Sequence, residues 1–310
     1  MARQQRKNRK SRGRRIHGIV VLDKAAGISS NGALQEVKRL FEANKAGHTG
    51  SLDPLATGVL PLCLGEATKL SQFLLESDKR YHARVRLGIR TDSGDSEGKV
   101  IAECADFTVA KRAVEKALKN FAGEIEQLPP MHSALKVDGV PLYKLAHAGK
   151  TVERRPRMIM VHHIKLLKFD SRELELDIAC GKGTYIRTIA DDLGQMLGCG
   201  AHINALRRTA VGDFTEADCM SLERLEQEKE HGGLEQLDAH IVPMDKAVAR
   251  LPEVVLPEIT ASCVKNGQPV LVRHLPEEGL VRLYEAEQFI GIGHIDDDGR
   301  VAPKRLIRLL

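Results

Sequence analysis

The sequence predicts an α+β protein with a large body and a smaller β-rich module at its C-terminal end. Strict alternation of apolar and polar residues predicts strands, most clearly over residues 81–90 and again over 174–180. Amphipathic spacing between such segments predicts helices. After Leu251-Pro252 the pattern changes to short β segments and turns such as Asn266-Gly267, which indicates a separate module.

In chain order, the body begins with a predicted buried strand over residues 17–23. Ser30 is expected to cap a helix over 31–43, in which apolar residues form one stripe. A shorter helix is predicted from about residue 67 to 75. The clearest strand follows, with Tyr81 on its core face and arginines on the opposite face.

The middle of the chain is predicted to leave the core of the body and return to it. Thr108 is expected to cap a second amphipathic helix that stops at Gly123. Residues 124–158 contain two prolines and a basic cluster, and they are interpreted as an insert. Beyond the strand at 174–180, the predictions are a helix over 184–197, extended chain over 201–214 and mostly helical structure over 216–248.

The charge of the chain is unevenly distributed. Its formal net charge is +5, but residues 1–15 hold eight lysines and arginines and no acid, which leaves −3 for the rest. Residues 1–15 are therefore predicted to be a disordered basic arm, of the kind that often contacts nucleic acid. A mildly acidic body with a basic arm favours RNA or DNA as partner.

Composition narrows the cellular setting. The chain has 42% hydrophobic and 29% charged residues, and it has no apolar run of membrane-spanning length. The N-terminus resembles no secretory signal. The six cysteines are far apart and form no CxxC, so neither a zinc site nor a disulfide framework is indicated. A cytoplasmic location is expected.

The strongest candidate for chemistry is Asp53, in the stretch GHTGSLDPLATGVL at residues 47–60. Glycines permit unusual backbone angles there, while Pro54 stiffens the loop and pushes Asp53 toward extended backbone. An Asp beside Pro and Gly is usually a plain turn residue. The stretch also lacks both common phosphate-binding glycine motifs. The residues alone leave Asp53 as a turn residue or an activated carboxylate.

Other chemistries lack their residue patterns. A glycoside hydrolase needs a second carboxylate, but Asp92 and Asp95 lie in a segment interpreted as a solvated turn. His132 and His162-His163 have no metal-ligand spacing. His48 taken alone is more simply a hydrogen-bonded loop histidine.

Several motifs, in the right order, resemble those of the TruB-type tRNA pseudouridine synthases. Residues 47–60 are similar to the active-site motif of that family, with GEATK at 65–69 downstream. The other similar segments are GIVVLDKAAG (18–27), KRY (79–81), LPPMHSALK (128–136), GTYIR (183–187) and LRR (206–208). The last 60 residues resemble a PUA RNA-binding domain. The resemblance implies a mixed, mainly antiparallel sheet in the body. It divides the chain into an arm (1–15), a catalytic domain (16–250, with the insert at about 124–158) and a PUA-like domain (251–310).

The resemblance also implies roles for particular residues. Asp53 matches the catalytic aspartate, expected to be the nucleophile, and Arg187 matches the arginine paired with it. Tyr81 matches the tyrosine that stacks on the target base and moves the proton off C5. The expected substrate-binding residues are His48, which helps to extrude the base, Tyr185 beside the arginine, and Lys24 and Leu206 along the pocket. Whether Asp53 attacks C1′, attacks C6 or deprotonates the sugar is left open.

The implied reaction isomerises uridine to pseudouridine in the T arm of tRNA, at the position conventionally numbered 55. The uracil must leave its stack, lose its N1–C1′ bond and rejoin through C5, which needs no redox cofactor and no metal. The implied partner is the tRNA T stem-loop, read by a monomer without an obligatory protein partner.

Two alternatives remain at this point. One is a tRNA-binding or tRNA-folding module that acts without catalysis. The other is the guide-RNA-dependent relative, which works in a multiprotein particle. The insert at 124–158 favours the stand-alone enzyme over this relative.

Overall fold

The computed structural model describes residues 13–273, 275 and 278–309. The strands are β1 (Gly18–Lys24), β2 (Ala46–His48), β3 (Thr57–Leu64), β4 (Lys79–Leu87), β5 (Ile89–Thr91), β6 (Val100–Glu103), β7 (Gly123–Gln127), β8 (Lys136–Val137), β9 (Val140–Pro141), β10 (Arg157–Phe169), β11 (Glu173–Cys180), β12 (Ala201–Val211), β13 (Phe214–Thr215), β14 (Met220–Ser221), β15 (Glu253–Leu256), β16 (Val270–Leu271), β17 (Gly279–Glu285), β18 (Gln288–Ile295) and β19 (Arg300–Leu306). The α-helices are α1 (Ser30–Leu40), α2 (Ser71–Glu76), α3 (Lys111–Leu118), α4 (Leu142–His147), α5 (Ile186–Met196), α6 (Leu222–Asp238) and α7 (Glu258–Lys265). Short 3-10 helices cover Gly65–Lys69, Lys119–Phe121, Glu216–Asp218 and Met244–Val248.

One ten-stranded sheet forms the body. Its path is β14-β1-β3-β12-β4-β11-β10-β7, with β2 added to β3 and β13 added to β12. The β1–β14 and β3–β12 pairs are parallel, and the other pairs of this sheet are antiparallel. The predicted α+β fold with a mixed, mainly antiparallel sheet is therefore confirmed.

Both faces of the sheet are covered at β1, which explains the continuous apolar run of this strand. Val20 and Leu22 enter the main core, together with Tyr81 and the apolar side of α1. Ile19 and Val21 point to the other face and pack in a second core that includes Ile292 of β18. A strand buried on both faces needs no polar alternation.

Strand β4 has the alternation that the sequence predicts, because only one of its faces is buried. Tyr81 and Ala83 are buried, whereas Arg80 and Arg84 point outward and pair with acids of β11. The strand ends at Leu87 instead of continuing to residue 90, since Gly88 adopts φ +90° and turns the chain into β5.

Two predicted helix caps are wrong. The side chain of Ser29, not Ser30, accepts the hydrogen bond from the Gly32 amide at the start of α1, and Ser30 is used elsewhere. Helix α3 has Ala110 at its N-cap without a side-chain bond, so Thr108 caps nothing. Both errors shift a boundary by one or two residues and leave the helices in place.

The predicted insert is shorter than its sequence signal suggested. Residues 124–127 belong to β7 and residues 157–158 to β10, and these two strands pair at the edge of the main sheet. The chain that leaves the sheet is therefore 128–156, which holds the small β8–β9 hairpin and α4. Pairing across the insert, at positions far apart in sequence, sets these bounds.

The predicted basic arm reaches residue 15, and its first twelve residues lie outside the described residues. Gly13–Arg15, however, run along the body. The Arg14 amide donates to the Glu42 carbonyl at 2.6 Å, and its guanidinium pairs with Asp238 of α6. The predicted arm is therefore bound to the body already at residues 13–15, because the Arg14 guanidinium pairs with the Asp238 carboxylate.

The C-terminal β-rich module is present as expected. Its five-stranded sheet has the order β15-β17-β18-β19-β16, and α7 packs on it. Polar contacts fasten it to the body: the Lys69 ammonium donates to the Leu306 carbonyl at 2.8 Å, and the Tyr284 hydroxyl donates to Asp245 at 2.7 Å. Within the described part of the chain, no helix is both long and apolar enough to cross a membrane.

Candidate active site

The loop that carries Asp53 joins β2 to β3 and is fastened at several points. The amide of Leu52 donates to the Ser30 hydroxyl at 2.7 Å, and that hydroxyl donates to the Leu52 carbonyl at 3.0 Å. The Ala56 amide donates to the Asp53 carbonyl at 3.0 Å, which closes a tight turn around Pro54. Ser30, expected as a helix cap, therefore holds the loop beside the start of α1.

Lys24, the last residue of β1, supports the same loop through a hydrogen bond to Pro54. Its side chain is fully buried, and its ammonium donates to the carbonyls of Ala25, Ile28 and Pro54 at 2.8, 2.7 and 3.2 Å. Burial lowers the pKa of Lys24 to about 8, against the opposing effect of the Asp53 carboxylate. One of these three carbonyls belongs to Pro54, the residue next to Asp53. The expected place of Lys24 along the substrate pocket stays a prediction.

Arg187 is the centre of the polar network around Asp53. It lies in the first turn of α5, and its Nε and Nη2 face the two carboxylate oxygens of Asp53 at 2.9 and 3.2 Å. It also donates to the carbonyls of Ser93 at 2.9 Å and His132 at 2.8 Å. One buried guanidinium thus joins the Asp53 loop, the β5–β6 turn and the insert, in the two-point geometry that arginine favours.

Asp95 is the residue that the sequence interpretation missed. The segment around it was expected to be a solvated turn, but Asp95 is only 3% exposed and lies 3.6 Å from Arg187 Nη1. Its carboxylate accepts hydrogen bonds from the Ser93 hydroxyl at 2.6 Å and the Glu97 amide at 3.1 Å. The expectation is wrong for Asp95 because α5, far along the chain, covers this turn.

The protonation of Asp53 is set by opposing effects. Burial, the largest effect, raises its pKa above the ordinary value, and the nearby Asp95 carboxylate adds to the rise. The charges of Arg187 and Lys24 oppose it. The Asp53 side chain still keeps 37% of its surface open to solvent, whereas that of Arg187 keeps 6%. The carboxylate is therefore only partly buried, while the arginine that holds it is almost fully buried.

Tyr81 lies in β4 on the face that points toward this loop. Its side chain is buried, and burial raises the pKa of its hydroxyl. Tyr81 packs in the same core as Leu52 and Ala56, which flank Asp53 in the loop, and the charge of Asp53 adds to the rise in the pKa of the phenol. The structure thus gathers Asp53, Tyr81 and Arg187 from three separate elements.

The other predicted site residues surround this centre. Tyr185 stands directly before α5, where the side chain of Gln127 bonds both to its amide and to its carbonyl, at 2.8 and 3.1 Å. His48 lies in β2, and burial lowers its pKa. Leu206 lies in β12 opposite Ala83 of β4 and is buried.

A cleft of about 630 Å³ runs beside the Asp53 loop. It is lined by Ala26, Gly27, Leu55, Thr57, His82, Arg84, Ser96, Glu97, Asn204, Ala205, Leu206 and Arg207. Leu55 and Leu206 give it an apolar wall, and the arginines give its rim positive charge. Asp53 does not line this cleft, whereas Leu55, two residues further along the same loop, does.

This arrangement suits one kind of chemistry. A single reachable carboxylate is held in place by a buried arginine, and a tyrosine and apolar side chains lie nearby to contact a flat ring. Such a site can attack or stabilise an electron-poor carbon while a planar group is held beside it.

Comparison with known families matches the chain in three consecutive parts. Residues 38–186 match the TruB family pseudouridylate synthase (N terminal domain), and residues 187–249 match the tRNA pseudouridylate synthase B C-terminal domain. Residues 252–307 match the family described as Pseudouridine synthase II TruB, C-terminal.

Similar proteins extend over nearly the whole chain. The tRNA pseudouridine synthase B of Tolumonas auensis is 51% identical over 98% of this chain and 96% of its own length. The protein of the same name from Pseudomonas aeruginosa is 53% identical over 95% of this chain and 97% of its own length.

Solved structures show the same architecture. A Cbf5-Nop10-Gar1 complex contains a chain that superposes with a TM-score of 0.73 at 28% identity, covering 94% of this chain and 84% of the other. A chain from an H/ACA RNP bound to a substrate RNA containing 2'-deoxyuridine gives a TM-score of 0.73 at 25% identity, covering 98% and 92%.

Proposed function

The chain belongs to the TruB family of pseudouridylate synthases, and we propose that it modifies the T arm of tRNA, at the position conventionally numbered 55. It isomerises uridine to pseudouridine in tRNA, as the names of its half-identical relatives indicate. The observation that carries the proposed chemistry is the network of Asp53, Arg187 and Asp95 near an open cleft. The T-arm position is proposed from the likeness of the motifs to those of the family.

Asp53 is the proposed nucleophile. The reaction breaks the N1–C1′ bond and forms a C5–C1′ bond, and a proton leaves C5 while N1 gains one. A carboxylate can attack an electron-poor carbon only when it is ionised and reachable. Burial and Asp95 raise the pKa of Asp53, while the charges of Arg187 and Lys24 oppose that rise and favour the ionised form. The side chain keeps 37% of its surface open to solvent, so it can be reached. The ionised form of Asp53 is the proposed attacking group.

Arg187 and Asp95 together tune this nucleophile. A bidentate arginine alone would hold the carboxylate charge tightly and make it a weaker nucleophile. Asp95 shares the same guanidinium at 3.6 Å and pushes the pKa of Asp53 upward. Arg187 thus fixes the orientation of the Asp53 carboxylate, while Asp95 weakens the attraction between the guanidinium and the Asp53 charge.

The remaining predicted residues handle the base in this proposal. Tyr81 stacks on the uracil and takes the C5 proton, and Leu206 and Tyr185 contact the ring or its neighbours. His48 helps to keep the base out of its loop. A flipped base has lost a few kcal/mol of stacking, so a site of this kind needs a replacement surface. Lys24, in contrast, is proposed to act through the Asp53 loop, since its ammonium is already bound by three carbonyls.

Recognition of the T stem-loop is assigned to the surfaces outside this centre. The insert is tied to the site through the His132 carbonyl, so its position is coupled to that of Arg187. The C-terminal module is proposed to be a PUA-like RNA-binding domain held rigidly on the body. The protein is proposed to act as a monomer without an obligatory protein partner. It is also proposed to act in the cytoplasm, where cysteines remain reduced, and its six cysteines are free.

Two other interpretations make different demands. A non-catalytic tRNA-folding module would not need the buried network around Asp53, because buried ion pairs often add little to stability. A guide-dependent enzyme would need other components, such as the proteins that accompany Cbf5 in the Cbf5-Nop10-Gar1 complex.

Incubation of the purified protein alone with a T-arm stem-loop transcript, followed by chemical mapping of pseudouridine, separates these interpretations. The proposal predicts pseudouridine at position 55 and nowhere else in the stem-loop. Formation only after other proteins or a guide RNA are added would favour the guide-dependent relative. Binding without any modification would favour the tRNA-folding module.

A further inference from the structure

Arg208 in β12 is a buried cation with no anion beside it. The residue is 1% exposed, and a guanidinium stays charged in proteins. Within residues 13–273, 275 and 278–309, no carboxylate forms an ion pair with it. Its Nε donates to the Val59 carbonyl at 2.8 Å, whereas its Nη2 has no hydrogen-bond partner. An uncompensated buried charge costs stability, so the arrangement calls for a reason.

The position of Arg208 links Tyr81 to the Asp53 loop. In the β12–β4 pair Arg208 stands directly opposite Tyr81, so the two side chains project from the same face of the sheet. In the β12–β3 pair its backbone lies against Gly58, where an added Cβ would come within 2.2 Å of the Arg208 carbonyl oxygen. Its Nη1 passes 3.7 Å from the place of a Cβ on Gly50, beneath the loop.

The charge of Arg208 acts on four titratable neighbours. Burial lowers the pKa of His48, Lys24 and Lys79, and the charge of Arg208 adds to that decrease. Burial raises the pKa of Tyr81, and the charge of Arg208 opposes that rise. The first three are basic, so the cation disfavours their charged forms. Tyr81 is the acid of this group, and its anion is the form that the cation favours. Asp53 and Cys180 also face Tyr81 and act in the opposite direction, as does burial.

We propose that Arg208 is a positioning residue that stabilises negative charge on the Tyr81 hydroxyl oxygen while this oxygen takes the C5 proton of the target uridine. The proposal rests on the proposed function and adds a residue to it. Once the C5–C1′ bond has formed, the Tyr81 hydroxyl gives its proton to N1, directly or through solvent, and becomes an oxyanion. The oxyanion then takes the C5 proton. The electron pair of the C5–H bond forms the C5=C6 double bond, and the C6–N1 π pair becomes the lone pair of the protonated N1.

The charge balance of this step explains why the Arg208 cation has no permanent anionic partner in the part of the chain that the structure describes. Negative charge appears on the Tyr81 oxygen only while its proton is away, and a fixed carboxylate beside Arg208 would oppose that charge. A preorganised donor aimed at a developing charge is the usual way in which enzymes stabilise one. A backbone phosphate of the RNA cannot take this place, because 1% exposure leaves Arg208 no surface to meet it.

The test compares Arg208→Gln and Arg208→Lys, in the wild-type background and in a Tyr81→Phe background. Single-turnover rates are measured with tRNA at saturating enzyme, tRNA affinity is measured separately, and thermal melting reports folding. In the wild-type background we expect the Gln variant to be slower by about a hundredfold, and the Lys variant, which keeps the charge, by about tenfold, with affinity nearly unchanged. In the Tyr81→Phe background the substitutions at Arg208 should change the rate by less than about threefold.

A second readout follows C5 directly. With tRNA whose target uridine carries deuterium at C5, slower proton removal should make that step rate-limiting. The isotope effect on the rate should then rise from near unity in the wild type to about two or more in the Arg208 variants. This readout decides the question even where the Tyr81→Phe background is too slow to measure. If Arg208→Gln does not fold, the isotope effect can be measured with Arg208→Lys alone.

Arg39→Gln, which replaces an exposed arginine of α1, is the matched control and should leave both the rate and the isotope effect unchanged. An unchanged isotope effect in the Arg208 variants would overturn the proposal. The proposal would also be overturned if the Arg208 substitutions slowed the reaction by the same factor in the Tyr81→Phe background as in the wild type. That result would mean that Arg208 only supports the fold. A wild type that makes no pseudouridine would instead contradict the proposed function, so the two failures are distinguishable.

Discussion

The two sides of the active site differ in how their charges are paired. On the carboxylate side (Asp53, Arg187 and Asp95), one buried arginine contacts two acids. On the tyrosine side (Tyr81, Arg208 and His48), an arginine that is buried more deeply has no acid among the described residues. The difference suggests that the first side holds a charge that is present throughout, whereas the second meets a charge that forms during the reaction.

This comparison also separates stability from catalysis. Removing one member of a buried ion pair leaves an uncompensated charge, which costs several kcal/mol. Substitutions on the carboxylate side should therefore change both the melting temperature and the rate. Replacing the unpaired cation of the tyrosine side removes a charge that was never compensated, so the rate should respond more than the melting temperature does.

Apart from substitution of Asp53 itself, the largest effect is expected for Arg187→Met. The substitution removes the group that directs Asp53 and leaves two carboxylates close together, so the single-turnover rate should fall by about a hundredfold or more. Arg90→Met is the matched control, because Arg90 also forms a bidentate pair, with Asp191, away from the loop. If the rates of Arg187→Met and Arg90→Met lay within threefold of each other, Arg187 would have no special part in directing Asp53.

A smaller effect is expected for Asp95→Asn, which keeps the shape of the side chain and removes its charge. Arg187 should then hold the Asp53 charge more tightly, and the rate should fall by about tenfold, as when a charge-assisted hydrogen bond is removed. Asp92→Asn, in the same turn but exposed, should have no effect. Equal rates for the two variants would show that Asp95 plays no part in the chemistry.

The dependence of the rate on pH tests the same link with a defined sign. Burial and Asp95 raise the pKa of Asp53, so the rate should fall on the acid side at a pH above the ordinary aspartate value of about 3.9. Because Asp95 contributes to this rise, Asp95→Asn should move the acid limb to lower pH. A shift to higher pH would contradict the arrangement of charges described for the carboxylate side.

The smallest effect on chemistry is expected from the basic arm. Replacing the six lysines and arginines of residues 1–12 by Gln should leave the single-turnover rate at saturating enzyme unchanged. The affinity for tRNA should weaken, and its salt dependence should flatten by about 0.7–0.9 logarithmic units for each phosphate that the arm no longer neutralises. An unchanged salt slope would show that the arm does not bind tRNA, and a slower rate would mean that it reaches the site.

Much of the fold could be predicted from the sequence because its signals are local. The alternation in β4 reflects one buried face, and the apolar run of β1 reflects two. The insert was located but its bounds were not, since β7 and β10 are defined by pairing across it. Such pairing leaves no mark in the local pattern.

The site was predictable only where motifs carried it. The contact of Asp53 with Arg187 follows residues that match two known motifs. Asp95 had no comparable signal, because its burial depends on α5 closing over a turn whose sequence is typical of polar surface. Arg208 belongs to the LRR motif, but the motif does not show that its Nη2 lacks a hydrogen-bond partner among the described residues. That depends on which side chains pack around it in the fold. Burial and pairing of charges are long-range properties that spacing alone does not contain.

The most direct test of the central claim is the rate of pseudouridine formation by Asp53→Asn. The variant keeps the shape of the side chain and can still accept a hydrogen bond from Arg187, but it lacks the nucleophilic charge. With purified protein and a T-arm stem-loop, mapping at position 55 should show no pseudouridine, while affinity for the RNA stays within about threefold of the wild type. Turnover at a rate close to that of the wild type would contradict the assignment of Asp53 as the nucleophile.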